Sequence, residues 1–153
     1  MSEFKQNINK FYNKFGMAKK MVLATCKDNY VTARMMSCVL IDGALYFQTD
    51  KKFLKYKQIT ANPLVALCID NMQIEGIANE LGHPLNSENS FFADEFKKHY
   101  EGSFNAYSSL PDEVLIKIIP RKITLWEYRD GNPYRVYFNV SKQEYSVEPY
   151  TGQ

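Results

Sequence analysis

The chain has little of what usually announces catalysis. Its 153 residues include two histidines, three cysteines, seven glycines and a single tryptophan. The glycines are scattered and form neither GxGxxG nor a GxxxxGK-Ser/Thr loop, which removes two common phosphate cradles. His83 follows a glycine and precedes Pro84, and His99 falls at a helix end, so each reads as a surface side chain and no metal site is expected. No serine or cysteine sits in a nucleophile-elbow motif, which leaves hydrolase chemistry without a carrier. Cys26, Cys38 and Cys68 are odd in number, widely spaced and set in apolar strand-like runs. They read as free buried thiols in a reducing cytoplasm, not as a disulfide frame or a zinc site. No apolar run approaches the roughly 18–20 residues a bilayer requires, and the polar first 20 residues hold no signal-peptide core. Nineteen Lys and Arg against seventeen Asp and Glu leave a net charge of +2, too even for a general nucleic-acid surface.

What is present suits one globular domain over residues 1–153, since 45% hydrophobic and 24% charged residues are ordinary for a packed core. Eleven Tyr and ten Phe suit a β-heavy core or an interface. Ile8, Phe11, Tyr12 and Phe15 recur at helical spacing before Gly16, which predicts an amphipathic helix over residues 2–15 lying on a sheet. Short apolar or alternating runs then predict strands at Met21–Thr25, Tyr30–Ile41 and Ala44–Thr49. Lys27-Asp28-Asn29 reads as a turn and Asp42-Gly43 as a tight hairpin. A helix is expected over Asp50–Thr60, capped by Asp50 or Thr49 and closed by Asn62-Pro63. Leu64–Ile69 and Met72–Leu81 form a second hairpin about Asp70-Asn71. Residues 86–100 read as a helix with Glu88 early, Lys97, Lys98 and His99 late, and Phe92 and Phe96 buried. Gly102–Pro111 reads as a loop. Strands follow at Val114–Ile119 and Lys122–Tyr128, broken at Pro120, then at Tyr134–Val140 after a turn at Asp130–Pro133, with one more around Tyr145–Val147. Hairpin-joined strands with few helices predict a mainly β fold, an antiparallel barrel with flanking helices. An open α+β sheet is the alternative.

One local constellation carries chemistry. Arg34 lies mid-strand in an apolar stretch and shares a face with Met36, while Met35 and Ser37 share the other. The paired strand ends at Gln48-Thr49, and the next helix brings Lys51, Lys52 and Lys55. A strand arginine, a strand-end hydroxyl and lysines at a helix start can converge on one anion. The plain alternative is an edge arginine and a solvated lysine face.

The order of these residues resembles the FMN-binding split-barrel family typified by pyridoxamine 5′-phosphate oxidase. Arg34-Met35-Met36-Ser37, the Asp42-Gly43 hairpin, Tyr46-Phe47-Gln48-Thr49, Lys55 six residues on, Gln58 and Asn62-Pro63 follow that family's pattern without a gap from about Val22 to Ile69. Pro120–Trp126, ending Ile-Thr-Leu-Trp, is similar to a second family strand. The resemblance implies an antiparallel split β-barrel and a homodimer with FMN sites at its interface. Arg34 and Lys55 would hold the FMN phosphate. Backbone groups of Met35, Met36 and Ser37 would line the isoalloxazine edge. Gln48 and Thr49 would contact the ribityl–phosphate end, Gln58 would reach the flavin, and Trp126 would come from the second subunit.

Departures from the pattern narrow the function. Phe53-Leu54 stands where the family often has Ser-Arg, leaving Lys51 or Lys52 as the nearest compensating cation. The true oxidase carries Arg-x-His-x-Arg after its Trp, whereas this chain has Arg135-Val136-Tyr137-Phe138-Asn139. Loss of the second cation weakens phosphate recognition by about 1.5–3 kcal/mol. The expectation is therefore an FMN-dependent oxidoreductase of an unidentified small molecule, with Arg135 and Tyr137 toward substrate, rather than oxidation of vitamin B6 phosphates. The helix over about 86–100 and the residues to 111 look like an insertion that reshapes the pocket. The alternatives are a non-catalytic flavin- or haem-binding barrel and a cofactor-free dimerisation unit.

Overall fold

Alternating apolar side chains drive most of the chain into eight antiparallel strands. In the computed structural model, which describes residues 1–152, these are β1 (Ala18–Lys27), β2 (Tyr30–Ile41), β3 (Ala44–Asp50), β4 (Leu64–Ile69), β5 (Met72–Glu80), β6 (Glu113–Arg129), β7 (Asn132–Asn139) and β8 (Glu144–Pro149). Helix α1 (Glu3–Phe15) precedes them, α2 (Leu54–Ala61) joins β3 to β4, and α3 (Ser90–His99) and α4 (Glu101–Tyr107) lie between β5 and β6. The strand order is β3-β2-β1-β4-β5-β6-β7-β8, and β3 also pairs with β6, so the first six strands close into a barrel. The hairpin turns are tight because their residues adopt positive φ, as at Asp42 (49°) and Gly43 (77°).

Inward side chains fill the barrel. Met21, Leu23, Phe47, Leu67, Ile116, Ile118 and Ile123 are wholly buried. Helix α1 covers one end: Phe4, Ile8 and Phe15 are buried, and Phe4 and Phe11 meet Phe138 at ring separations of 6.2 and 5.9 Å. Ser2 caps α1 by accepting from the Lys5 N–H at 3.1 Å. On the outer side, Phe92 and Phe96 of α3 pack on Val39, Tyr46 and Leu115.

Two strand junctions shape the barrel. Strands β2 and β3 pair over only Val39–Ile41 against Ala44–Tyr46, after which β3 leaves β2 and follows β6 as far as Asp50 opposite Glu113. That parting is the split in the barrel. Strand β6 does not break at Pro120, as its sequence suggests, but runs through it with a bulge. Glu75 pairs with Lys122 and Gly76 with Pro120, which leaves Arg121 unopposed. The bulge absorbs the missing proline N–H. Gly76 permits the close approach, because a Cβ there would stand 2.7 Å from Ile118 Cγ2 and 2.8 Å from the Ile119 carbonyl oxygen.

Three other expectations change. The helix after β3 begins at Leu54, not Asp50, and neither Asp50 nor Thr49 caps it. Instead the Asp50 carboxylate accepts from the Lys52 N–H at 2.8 Å, a local turn that delays the helix. The presumed loop over 102–111 is mostly α4, a second short helix. Of the cysteines only Cys38 is buried. Cys26 is half-buried and Cys68 is exposed, because both side chains fall on the outer face of their strands.

Candidate functional site

The split leaves a cavity of about 380 Å³ between β2 and β3, closed on one side by α2 and on the other by α3, α4 and the start of β6. Met35, Met36 and Ser37 line it from β2, Gln48 and Thr49 from β3, and Lys55 from α2. The Leu40 N–H donates to the Met17 carbonyl on the β1 side at 2.8 Å. Strand alternation then turns the backbone polar groups of Met35 and Ser37 to the opposite edge, which β3 has left free. Six of the ten residues expected to bind cofactor therefore meet at one opening.

Arg34 backs this wall from inside the barrel mouth. Its guanidinium donates to the Thr25 hydroxyl at 2.8 Å, to the Leu23 carbonyl at 3.3 Å and to the Thr32 hydroxyl. Fully buried Gln58 completes the network: its Oε1 accepts from Thr25 at 2.5 Å and Thr32 at 2.6 Å, and its Nε2 donates to the Tyr30 carbonyl at 3.0 Å. Gln58 thus holds the arginine's supports and does not line the cavity. Lys55 lies close enough to Arg34 for the two charges to repel. Burial first, then the Arg34 charge, push its ammonium below the usual lysine value, against an opposing pull from Glu113. Burial likewise lowers the Arg34 guanidinium. Among the described residues neither cation has an ion-pair partner within 4 Å. Two neighbouring cations, neither held in an ion pair, are an arrangement that can attract an anion. Thr49 adds to it, since its side-chain oxygen is buried at the same cavity and has no hydrogen-bond partner.

Lys52 stands elsewhere. It is exposed and pairs with Asp112 at 3.2 Å. Trp126, Arg135 and Tyr137 line a separate depression of about 480 Å³ on β6 and β7, where Arg135 lies over the Trp126 ring at 5.9 Å. Within one chain they do not join the split cavity.

Sequence reasoning missed the cavity's far wall. Glu113, only 5% exposed, lies there, and its Oε2 accepts from Gln48 Nε2 at 3.2 Å. The Gln48 carbonyl oxygen in turn accepts from the Ser108 hydroxyl at 2.8 Å. Burial and the nearby Asp50 charge push the Glu113 carboxyl up to about 7, against a smaller pull from Lys55. The only signal was an acid opening an apolar strand, a common place for a solvated side chain.

Glu113 has a consequence for stability. Its folded value exceeds its ordinary one of 4.5, so between the two the native state holds a proton that the unfolded chain releases. Its contribution is therefore full at low pH and lost as pH rises through about 7. Urea midpoints measured at pH 4.5 to 8 should decline more steeply in the wild type than in Glu113→Gln. Parallel profiles would contradict the assignment.

Residues 4–127 match the family model described as pyridoxamine 5′-phosphate oxidase. Among solved structures, General Stress Protein 26 from Bacillus anthracis is 24% identical, with 80% of this chain and 92% of that one covered at a TM-score of 0.59. A pyridoxamine 5′-phosphate oxidase-related, FMN binding protein from Nostoc punctiforme is 16% identical, with 99% and 98% covered at 0.63. HutZ, the heme storage protein from Vibrio cholerae, is 12% identical, with 81% and 95% covered at 0.65. No curated protein matches the chain in sequence.

Proposed function

The chain belongs to the pyridoxamine 5′-phosphate oxidase family, and from that premise we propose that its split cavity binds FMN and that the protein is an FMN-dependent oxidoreductase of a small molecule. The observation that carries this reading is a cavity lined by Lys55 and the unsatisfied Thr49 hydroxyl, with Arg34 near enough to Lys55 to repel it and neither cation held in an ion pair. These groups would hold the phosphate. Gln48 and the free backbone edge at Met35 and Ser37 would hold the rest of the cofactor, with the Met36 side chain beneath it. Gln58 would act through Arg34. Lys52 would contribute only by leaving Asp112. Bound FMN would supply the redox chemistry, while the protein orients it and excludes water.

The site is completed by a second copy of the chain. The outer face of β1, β2 and β4 is apolar where water would favour polar side chains: Val31, Met35 and Leu64 are 66%, 57% and 61% exposed. Ala24 and Ala66 lie in register between Val31, Met35 and Leu64 on that face. Such a patch marks an interface, and Met35 joins it to the cavity. A homodimer through this face would carry Trp126, Arg135 and Tyr137 of one copy toward the cavity of the other. Residues 1–153 act as one domain, and its three free thiols suit a reducing cytoplasm.

For the haem-carrying alternative, the two histidines are the side chains to weigh, and both already face partners in the fold. Both ring nitrogens of His83 are engaged, Nδ1 accepting from the Leu85 N–H at 3.1 Å and Nε2 facing the Leu110 carbonyl at 2.9 Å. His99 faces Glu95 at 3.4 Å on α3.

The test is direct. Purified protein should be yellow or quench FMN fluorescence at a stoichiometry of one per chain, and light scattering should give twice the chain mass. A Soret band in place of flavin absorbance would favour the haem carrier. A colourless protein indifferent to FMN would leave only the barrel.

A further inference from the structure

Strand β6 serves two partners in turn. Its first part, Glu113–Ile118, closes the barrel on β3, and its second, Lys122–Arg129, pairs with β7. Strands β7 and β8 therefore extend beyond the closed barrel, and helix α1 lies against one face of them. The cover is incomplete. Phe4 and Phe11 of α1 meet Phe138, but a cavity of about 330 Å³ remains between helix and sheet. Its floor is apolar: Leu125, Val136 and Phe138 are buried there, with Phe11, Met72 and Tyr145 half-buried around them. It shares no residue with the split cavity. Its volume falls at the lower end of the range for small-ligand pockets, about 300–1,000 Å³.

The rim of this cavity is charged. Lys10 and Lys14 stand one turn apart on α1, and Lys19 follows on β1. The other charged residues are Asp70 in the β4–β5 turn and Glu127 and Arg129 on β6. Glu127 and Arg129 bind each other at 3.1 Å. That leaves three lysines against Asp70, and among the described residues none of the three is held in an ion pair. Lys19 lies over the ring of Phe15, itself part of the lining, at 5.5 Å. The lysines alone would attract any small anion, and the hollow alone any apolar molecule. A molecule that satisfies both carries an apolar body and one negative head.

We propose that this cavity is a second binding site, for a monomeric amphipathic anion: an aliphatic or aryl carboxylate with its apolar part on Phe11, Leu125, Val136 and Phe138 and its head among the three lysines. An ammonium on a flexible stem follows such a head at the rim without the fixed fork of an arginine. The lysines border a concave opening, so the occupant is a free acid and not the headgroups of a bilayer.

Decanoate, decanol and decylamine share one chain and differ in the charge of the head. Calorimetric titration at pH 7, each ligand below its solubility limit, reads their affinities. Decanoate should bind about tenfold or more tightly than decylamine, with decanol between them. Lys10→Glu/Lys14→Glu should weaken decanoate about tenfold or more and change decanol by less than about twofold. Both lysines are exposed, so the variant keeps the fold, and the wild-type ranking stands without it. Saturating FMN should leave decanoate binding unchanged, because the two cavities have no residue in common. No binding of decanoate, decylamine binding as tightly, or decanoate affinity indifferent to the two charge reversals would each overturn the proposal. So would displacement of decanoate by FMN, which would place the acid in the split cavity. Lysine-dependent sedimentation of the protein with phosphatidylglycerol vesicles would overturn it too, by assigning the cations to a membrane surface. A chain that ignores FMN yet ranks the three ligands in this order keeps this site and loses only the cofactor reading.

Discussion

Arg34→Ala is expected to weaken FMN binding by about 10- to 100-fold, the loss of one charged hydrogen bond worth about 1.5–3 kcal/mol. The guanidinium is already oriented by Thr25, Thr32 and the Leu23 carbonyl, so little freedom remains to be lost on binding. Its charge is also unspent, since no carboxylate pairs with it. Lys55→Ala should weaken binding less, because a flexible ammonium is a point charge without a fork, and Arg34→Lys should fall short of wild type for the same reason. The double variant should lose more than the sum of the singles, because in each single variant removing one cation relieves the repulsion on the other and cushions the loss. Quenching of FMN fluorescence measures all four, and unchanged urea midpoints would show that the Thr25–Thr32–Gln58 network survives. Affinity indifferent to both single substitutions would place the phosphate elsewhere and remove the cofactor assignment.

Much of the barrel was legible because its signals are local. The Asp42-Gly43 turn, the period-two run over Tyr30–Ile41 and the Phe92 and Phe96 stripe each act over a few residues, and the observed elements follow them. The errors arise where distant partners decide. Pro120 reads as a break, but Gly76 on β5, with no Cβ, lets the bulge pass. Glu101–Tyr107 carries Gly102 and two small polar residues, Ser103 and Asn105, a poor helix by propensity. The cap N–H bonds that continue from α3, Tyr100 to Phe96 and Phe104 to Tyr100, extend the helical path nonetheless.

The candidate site divides in the same way. Met35, Ser37, Gln48, Thr49 and Lys55 were found because they lie along one hairpin and the following helix, and the split brings them to one opening. Glu113 lies 65 residues from Gln48 and meets it only through β3–β6 pairing, which no local pattern encodes. Gln58 is expected to reach the flavin, whereas the structure places it behind Arg34, off the cavity wall. Its burial under Arg34 is visible only once Thr25 and Thr32 stand beside each other on β1 and β2.

Phe47→Ala should cost about 3–5 kcal/mol, a large part of the roughly 5–15 kcal/mol that holds a domain of this size together. The ring is wholly buried among inward residues of all six barrel strands, and the ladder that pairs Phe47 with Ile116 fixes β3 in place on β6. The strand therefore has few means of collapsing into the hole. The next two residues, Gln48 and Thr49, line the cavity, so the substitution also links stability to the cofactor. FMN at about 100 times its dissociation constant stabilises the native state by about 2.7 kcal/mol and should recover a large part of the loss. That rescue should shrink in the Phe47→Ala/Arg34→Ala double variant at the same FMN concentration. Thermal melts of the two variants with and without FMN read both effects. A melting temperature that FMN does not raise in Phe47→Ala would mean that β3 no longer presents Gln48 and Thr49, or that the cofactor never touched them. The wild-type melt separates these outcomes, because only the second leaves wild type equally unmoved by FMN.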